Sequence, residues 1–95
     1  MSDAAATSIL LVDDQPMLRM GYRMILDAQS DLTVVGEAED GLAAIELTKR
    51  LGPDVVLMDV RMPGLDGVQA NERIVASGSP SRIIILTTFD LDEYA

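Results

Sequence analysis

The chain has 95 residues, enough for one hydrophobic core and too few for two. Acids outnumber bases by 16 to 7, a formal charge of -9, so a nucleic-acid backbone would be repelled by this segment. The sequence contains no Cys and no His, which excludes disulfides, Cys/His zinc sites and an imidazole base.

Hydrophobic residues at 48% and charged residues at 24% fit a folded globular domain and not a disordered chain. The opening MSDAAATS has neither the basic start nor the long apolar stretch of a secretory signal. Apolar runs of four residues fall far short of the roughly 20 that a membrane-spanning helix needs. Residues 1–7 therefore read as a disordered lead-in and 8–95 as one domain, with the cytoplasm as the expected compartment and no membrane partner.

In chain order, ILLV at 9–12 is a short β-branched and leucine run that predicts a strand. Pro16 suits the first turn of a helix, and Leu18, Tyr22, Ile25 and Leu26 recur at helical spacing as one buried stripe that Met17, Met20 and Met24 widen. LTVVGEA at 32–38 predicts the second strand. Asp40 is placed to cap a second helix carrying Ala44, Leu47, Thr48 and Leu51 on one face, and Gly52-Pro53 ends it. VVLM at 55–58 predicts a strand buried on both faces. A third helix starts near Asp66-Gly67, has a weaker apolar side of Val68, Ala70, Ile74 and Val75, and ends at SGSPS; RIIIL at 82–86 predicts the fourth strand. Strands alternating with helices imply right-handed βαβ units, and hence an open, doubly wound α/β fold with a parallel sheet.

The candidate site follows from where the acids stand. Asp13 and Asp14 directly follow the first strand and Asp59 ends the third. Ligands of such sheets sit beyond the carboxyl ends of the strands where the winding reverses, so neighbouring first and third strands would bring three carboxylates together. Such crowding strongly raises some pKa values unless a cation is shared. Oxygen ligands without His or Cys select a hard ion, and a small crevice suits Mg²⁺, which keeps waters and accepts phosphate oxygens. Asp59, central and at a strand tip, is the candidate nucleophile for an aspartyl phosphate. Thr87, ending the fourth strand, can aim a hydroxyl at the same crevice. Each residue also has a plainer reading: Asp13 and Asp14 as helix caps, Asp59 as a solvated strand end, Thr87 as a turn hydroxyl, and MPGLDG as a turn built on Pro63, Gly64 and Gly67. Their joint placement at three strand ends favours the site.

These residues resemble the receiver domain of two-component response regulators. ILLVDDQ, VVLMDVRMPGLDG and RIIILTTFD stand in that family's order and spacing, and DDQPMLRMGYRMIL with LTTFDLDEY is most similar to the NarL/FixJ (LuxR-type) class. The resemblance implies a flavodoxin-like, CheY-like fold in which Asp59 accepts a phosphoryl group from a phosphohistidine of a sensor histidine kinase. It implies Mg²⁺ held by Asp13, Asp14, Asp59 and the backbone carbonyl of Arg61, with Asp14 the more direct ligand and Asp13 acting largely through water. The Arg61 side chain either reaches over the crevice or is a solvated loop charge. Thr87 matches the switch hydroxyl, and Pro63, Gly64 and Gly67 support the acceptor loop. Phosphorylation would shift a conformational balance and favour a homodimer, and DNA would be bound only through a helix-turn-helix domain outside this chain.

One family element is missing: the lysine at the end of a fifth strand lies beyond Ala95, and Lys49, the only lysine, sits on the second helix. The fold is thus expected to stop before the fifth strand and leave RIIIL as an apolar sheet edge, an aggregation hazard unless a longer chain or another copy covers it. Two other functions compete. A Mg²⁺-dependent phosphatase or phosphotransferase would use Asp59 on a diffusible substrate, but such enzymes commonly carry a second acid two residues on, where Arg61 stands. A phosphorylation-independent interaction domain would need loss of an acid or the acceptor, and all are present.

Overall fold

The computed structural model describes residues 6–59 and 67–86. Four strands and three helices alternate: β1 (Thr7–Val12), α1 (Pro16–Asp27), β2 (Leu32–Ala38), α2 (Gly41–Leu51), β3 (Val55–Asp59), α3 (Gly67–Ala76) and β4 (Arg82–Leu86). The strands form one parallel sheet in the order β2-β1-β3-β4. The order places β1 and β3 side by side at the centre, with the chain leaving β1 toward one edge and leaving β2 toward the other. Right-handed crossovers then put α1 on one face and α2 and α3 on the opposite face.

The expected flavodoxin-like architecture is therefore present, and the differences lie in boundaries and burial. β1 begins at Thr7, inside the stretch read as a disordered lead-in, because Thr7 is already tied down: its N–H donates to the Asp31 carbonyl at 2.9 Å and it pairs with Leu32. Residues 1–5 lie outside the described residues.

The principal core lies between the sheet and α2 and α3. Leu10 and Val12 of β1 alternate to the same face as Val56 and Met58 of β3, and meet Ala38, Ala44, Ala70 and Ile74. The small residue at 44 lets α2 approach β1 and β2 closely. Val55 and Leu57, on the other face of β3, are only half-buried, so that strand is fully covered on one side rather than on both.

Helix α1 departs most from expectation. Leu18, Tyr22 and Leu26 are half-buried, Ile25 is exposed, and Met17, Met20 and Met24 are exposed at 85%, 63% and 69%. The methionines do not widen the stripe. Among the described residues α1 rests mainly on β1 and β2, so one narrow line of side chains covers what the sheet offers it. In α3, Ala70 and Ile74 are buried while Val68 and Val75 are exposed, again a narrower apolar face than the composition suggests.

Local chemistry sets the ends of α2. Asp40 accepts the Ala43 N–H at 2.8 Å, and Gly52 closes the helix with φ of 54°, its N–H donating to the Thr48 carbonyl. A paired feature locks the other rim of the sheet: the Asp54 carboxylate accepts both the N–H and the hydroxyl of Ser8, at 2.8 and 3.0 Å, and the Ser8 hydroxyl oxygen accepts the Asp54 N–H at 2.9 Å. This fixes β1 against β3 from the end opposite the acids.

Strand β4 pairs only with β3 among the described residues, and Ile84 and Ile85 are exposed there.

Candidate functional site

Strand register brings the acids together. Val12 of β1 pairs with Met58 of β3, so the next residues, Asp13 and Asp59, emerge side by side at the carboxyl rim of the two central strands. Both are 2% exposed, and Asp14 is half-buried. One carboxylate oxygen from each of Asp13, Asp14 and Asp59 lies within 4.8 Å of the others.

The loop that carries the first two acids is closely held. The Asp13 N–H donates to the Ala38 carbonyl at the end of β2, 3.0 Å away, and the Asp13 carboxylate accepts the Gln15 N–H at 2.8 Å. The Asp13 carbonyl accepts from Arg19 Nη1 at 2.7 Å. Asp13 is therefore fixed through its N–H, its carbonyl and its side chain before any ligand is considered.

Burial pushes the Asp13 carboxyl above its ordinary range; the Asp59 and Asp14 charges push the same way, while the Gln15 N–H and the Arg19 guanidinium pull against them. Asp14 Oδ1 is buried without a hydrogen-bond partner. A buried carboxylate oxygen left unsatisfied is costly, and a bound cation removes that cost. Three converging carboxylate oxygens, an unpartnered Oδ1 on one of the three residues, and no nitrogen or sulfur donor in the cluster fit a hard divalent ion such as Mg²⁺.

The structure thus brings Asp13, Asp14 and Asp59 into one crevice. Gly67 is the first residue of α3. Arg61, Pro63, Gly64 and Thr87 lie outside the described residues.

Sequence reasoning missed Arg19 and Glu37. Arg19 Nε bonds Glu37 Oε1 at 3.0 Å, and Arg23 also reaches Glu37. A guanidinium beside the apolar stripe of α1 and a lone acid one residue from the end of β2 were the available signals, but their meeting depends on how α1 lies across the sheet.

Residues 9–95 match the family model described as response regulator receiver domain, and the chain belongs to that family. Among the relatives it resembles are response regulators of the NarL and LuxR type. It is 49% identical over 86 residues to the transcriptional regulatory protein YxjL of Bacillus subtilis (strain 168), a match spanning 90% of this chain and 39% of that protein. With the nitrate/nitrite response regulator NarL of Escherichia coli (strain K12) it shares 38% identity over 93 residues, 98% of this chain and 43% of the relative. The signal receiver domain of NarL from Mycobacterium tuberculosis superposes with a TM-score of 0.87 at 38% identity, covering 92% of this chain and 70% of that one. The chain thus spans about two-fifths of the length of these curated relatives. No helix among the described residues is long and apolar enough to cross a membrane.

Proposed function

We propose that this receiver domain takes up a phosphoryl group on Asp59 from the phosphohistidine of a sensor histidine kinase. The supporting observation is the convergence of one oxygen from each of Asp13, Asp14 and Asp59 to within 4.8 Å of one another at the rim of the two central strands, together with a buried Asp14 Oδ1 that has no hydrogen-bond partner. A carboxylate oxygen of Asp59 attacks phosphorus as the bond from phosphorus to the imidazole nitrogen breaks, and the imidazole leaves with the electron pair. Attack by water on the same phosphorus later returns the carboxylate and inorganic phosphate.

Asp13, Asp14 and Asp59 would hold Mg²⁺, with the Arg61 carbonyl as a further ligand. When bound, the ion offsets negative charge on the phosphoryl oxygens. The chain's own part is to keep three acids converged at the rim of a rigid sheet, so that little reorganisation precedes reaction. Thr87 would supply the switch hydroxyl that follows the phosphoryl group, with Pro63, Gly64 and Gly67 shaping the acceptor loop. The resulting shift between two conformations would act on partners. These are a second copy of the protein and, through a helix-turn-helix domain outside this chain, DNA. Such a function belongs in the cytoplasm.

The test is intact-mass measurement after incubation with Mg²⁺ and a small acyl phosphate. One phosphoryl increment is expected in the wild type and none in Asp59→Asn. An undiminished increment in Asp59→Asn would remove Asp59 from the role.

A further inference from the structure

Arg19 is the one basic side chain seen touching the acid-bearing loop among the described residues, and its two contacts run in different directions. Nη1 donates to the backbone carbonyl of Asp13 at 2.7 Å, and Nε donates to Glu37 at 3.0 Å. Glu37 is next to Ala38, whose carbonyl accepts the Asp13 N–H. The peptide units on both sides of Asp13 are therefore anchored to the last two residues of β2, one directly and the other through the guanidinium. Arg19 is largely buried, with 18% of its side chain exposed, and Arg23 holds the second oxygen of Glu37 from the outside.

We propose that Arg19, oriented by Glu37, is a positioning residue that fixes the Asp13–Asp14 loop in the conformation that accepts a divalent cation. This deepens the proposed function and rests on the same acidic site. The planar fork of arginine can serve a carboxylate and a carbonyl at once; a lysine ammonium on a flexible stem cannot hold that fixed two-point geometry. Removing an outer group that orients a metal's ligands typically costs about 10–100-fold in affinity.

Two effects of removing Arg19 have opposite signs, which makes the idea testable. If only its charge mattered, Arg19→Ala would make the crevice more negative and tighten Mg²⁺ binding. If the clamp matters, the loop loosens and binding weakens. By calorimetric titration of the metal-free protein, Arg19→Ala is expected to weaken Mg²⁺ binding by about 10-fold, and Arg19→Lys, which keeps the charge, is expected to weaken it too. Arg23→Ala, which leaves the Asp13 carbonyl contact in place, should bind as the wild type does. In a double-mutant cycle, Glu37→Ala should add little once Arg19 is already alanine, because Glu37 acts through it.

A second readout needs no metal. Amide hydrogen exchange at Asp13 and Gln15 should accelerate in Arg19→Ala while the β1 core amides stay as slow as in the wild type. Unchanged or tighter Mg²⁺ binding with unchanged exchange at Asp13 and Gln15 overturns the clamp and leaves the proposed function standing. A wild-type protein that binds no Mg²⁺ overturns the site and the clamp together. Should Arg19→Ala fail to fold, Arg19→Lys decides: wild-type affinity in that variant overturns the proposal.

Discussion

Asp13 and Asp59 are neighbours across the central strand pair, each one residue past the Val12–Met58 pairing and each 2% exposed. Parallel register forces that adjacency. Strands that run the same way end at the same rim, so acids placed one step beyond matched apolar residues must meet. Under the proposed function, burial of both beside Asp14 would favour a bound cation, and without one it is expected to strain the fold.

Replacing one acid should therefore stabilise the metal-free protein. Asp13→Asn keeps a side-chain oxygen to accept the Gln15 N–H at the 2.8 Å position, yet removes a desolvated negative charge. Relief on the order of 1 kcal/mol is expected, an increase in Tm of about 4–8 °C for a domain this small. Thermal unfolding in a chelator measures it. An unchanged or lower Tm would show that the acids do not strain the apo fold.

The Glu37 cluster should give the opposite pH signature from that strain. The hydrogen bond from Arg23 comes first among the causes that hold the Glu37 carboxyl below its ordinary value of 4.5, and Arg19 adds to it. A lowered carboxyl means the folded chain binds fewer protons than the unfolded one in that range. The stabilisation is thus fully present above the unfolded value and is lost as pH falls through the folded one. Unfolding free energies of wild type and Glu37→Gln from urea titration should differ by up to about 1 kcal/mol near neutrality, and the difference should shrink as pH drops below about 4. A gap that widens on acidification would contradict the pairing.

Helix α2 depends on its two ends. Asp40→Ala leaves the Ala43 N–H without its cap, and Gly52→Ala forces a β-carbon onto a residue at φ of 54° although nothing lies within 4 Å of it. Each is expected to cost about 1 kcal/mol in denaturant unfolding. The two should add, since the sites lie at opposite ends of the helix and share no partner. A neutral Gly52→Ala would mean the helix can end another way.

The sheet and its acids were legible in the sequence because they follow from short-range rules. Four β-branched runs, Pro16, Asp40 and Gly52 set the element order, and acids at two strand ends point to one crevice once β1 and β3 are neighbours. Burial was less legible. Met17, Met20, Met24 and Ile25 share the hydrophobicity of core residues, and only the packing around α1 shows that they face outward. The link from Arg19 to the Asp13 carbonyl was hidden for a similar reason: its acceptor is a backbone atom, which no side-chain pattern encodes. Thr87 and Arg61 lie outside the described residues, so their roles rest on the proposed function alone.

The claim beneath all of this is that three crowded carboxylates are held ready for one divalent cation. Calorimetric titration of the metal-free protein with Mg²⁺ near neutral pH tests it most directly. A single saturable site in the wild type that disappears in Asp59→Asn is the predicted result. Heats no larger than dilution from a protein whose circular dichroism shows it folded would contradict the account.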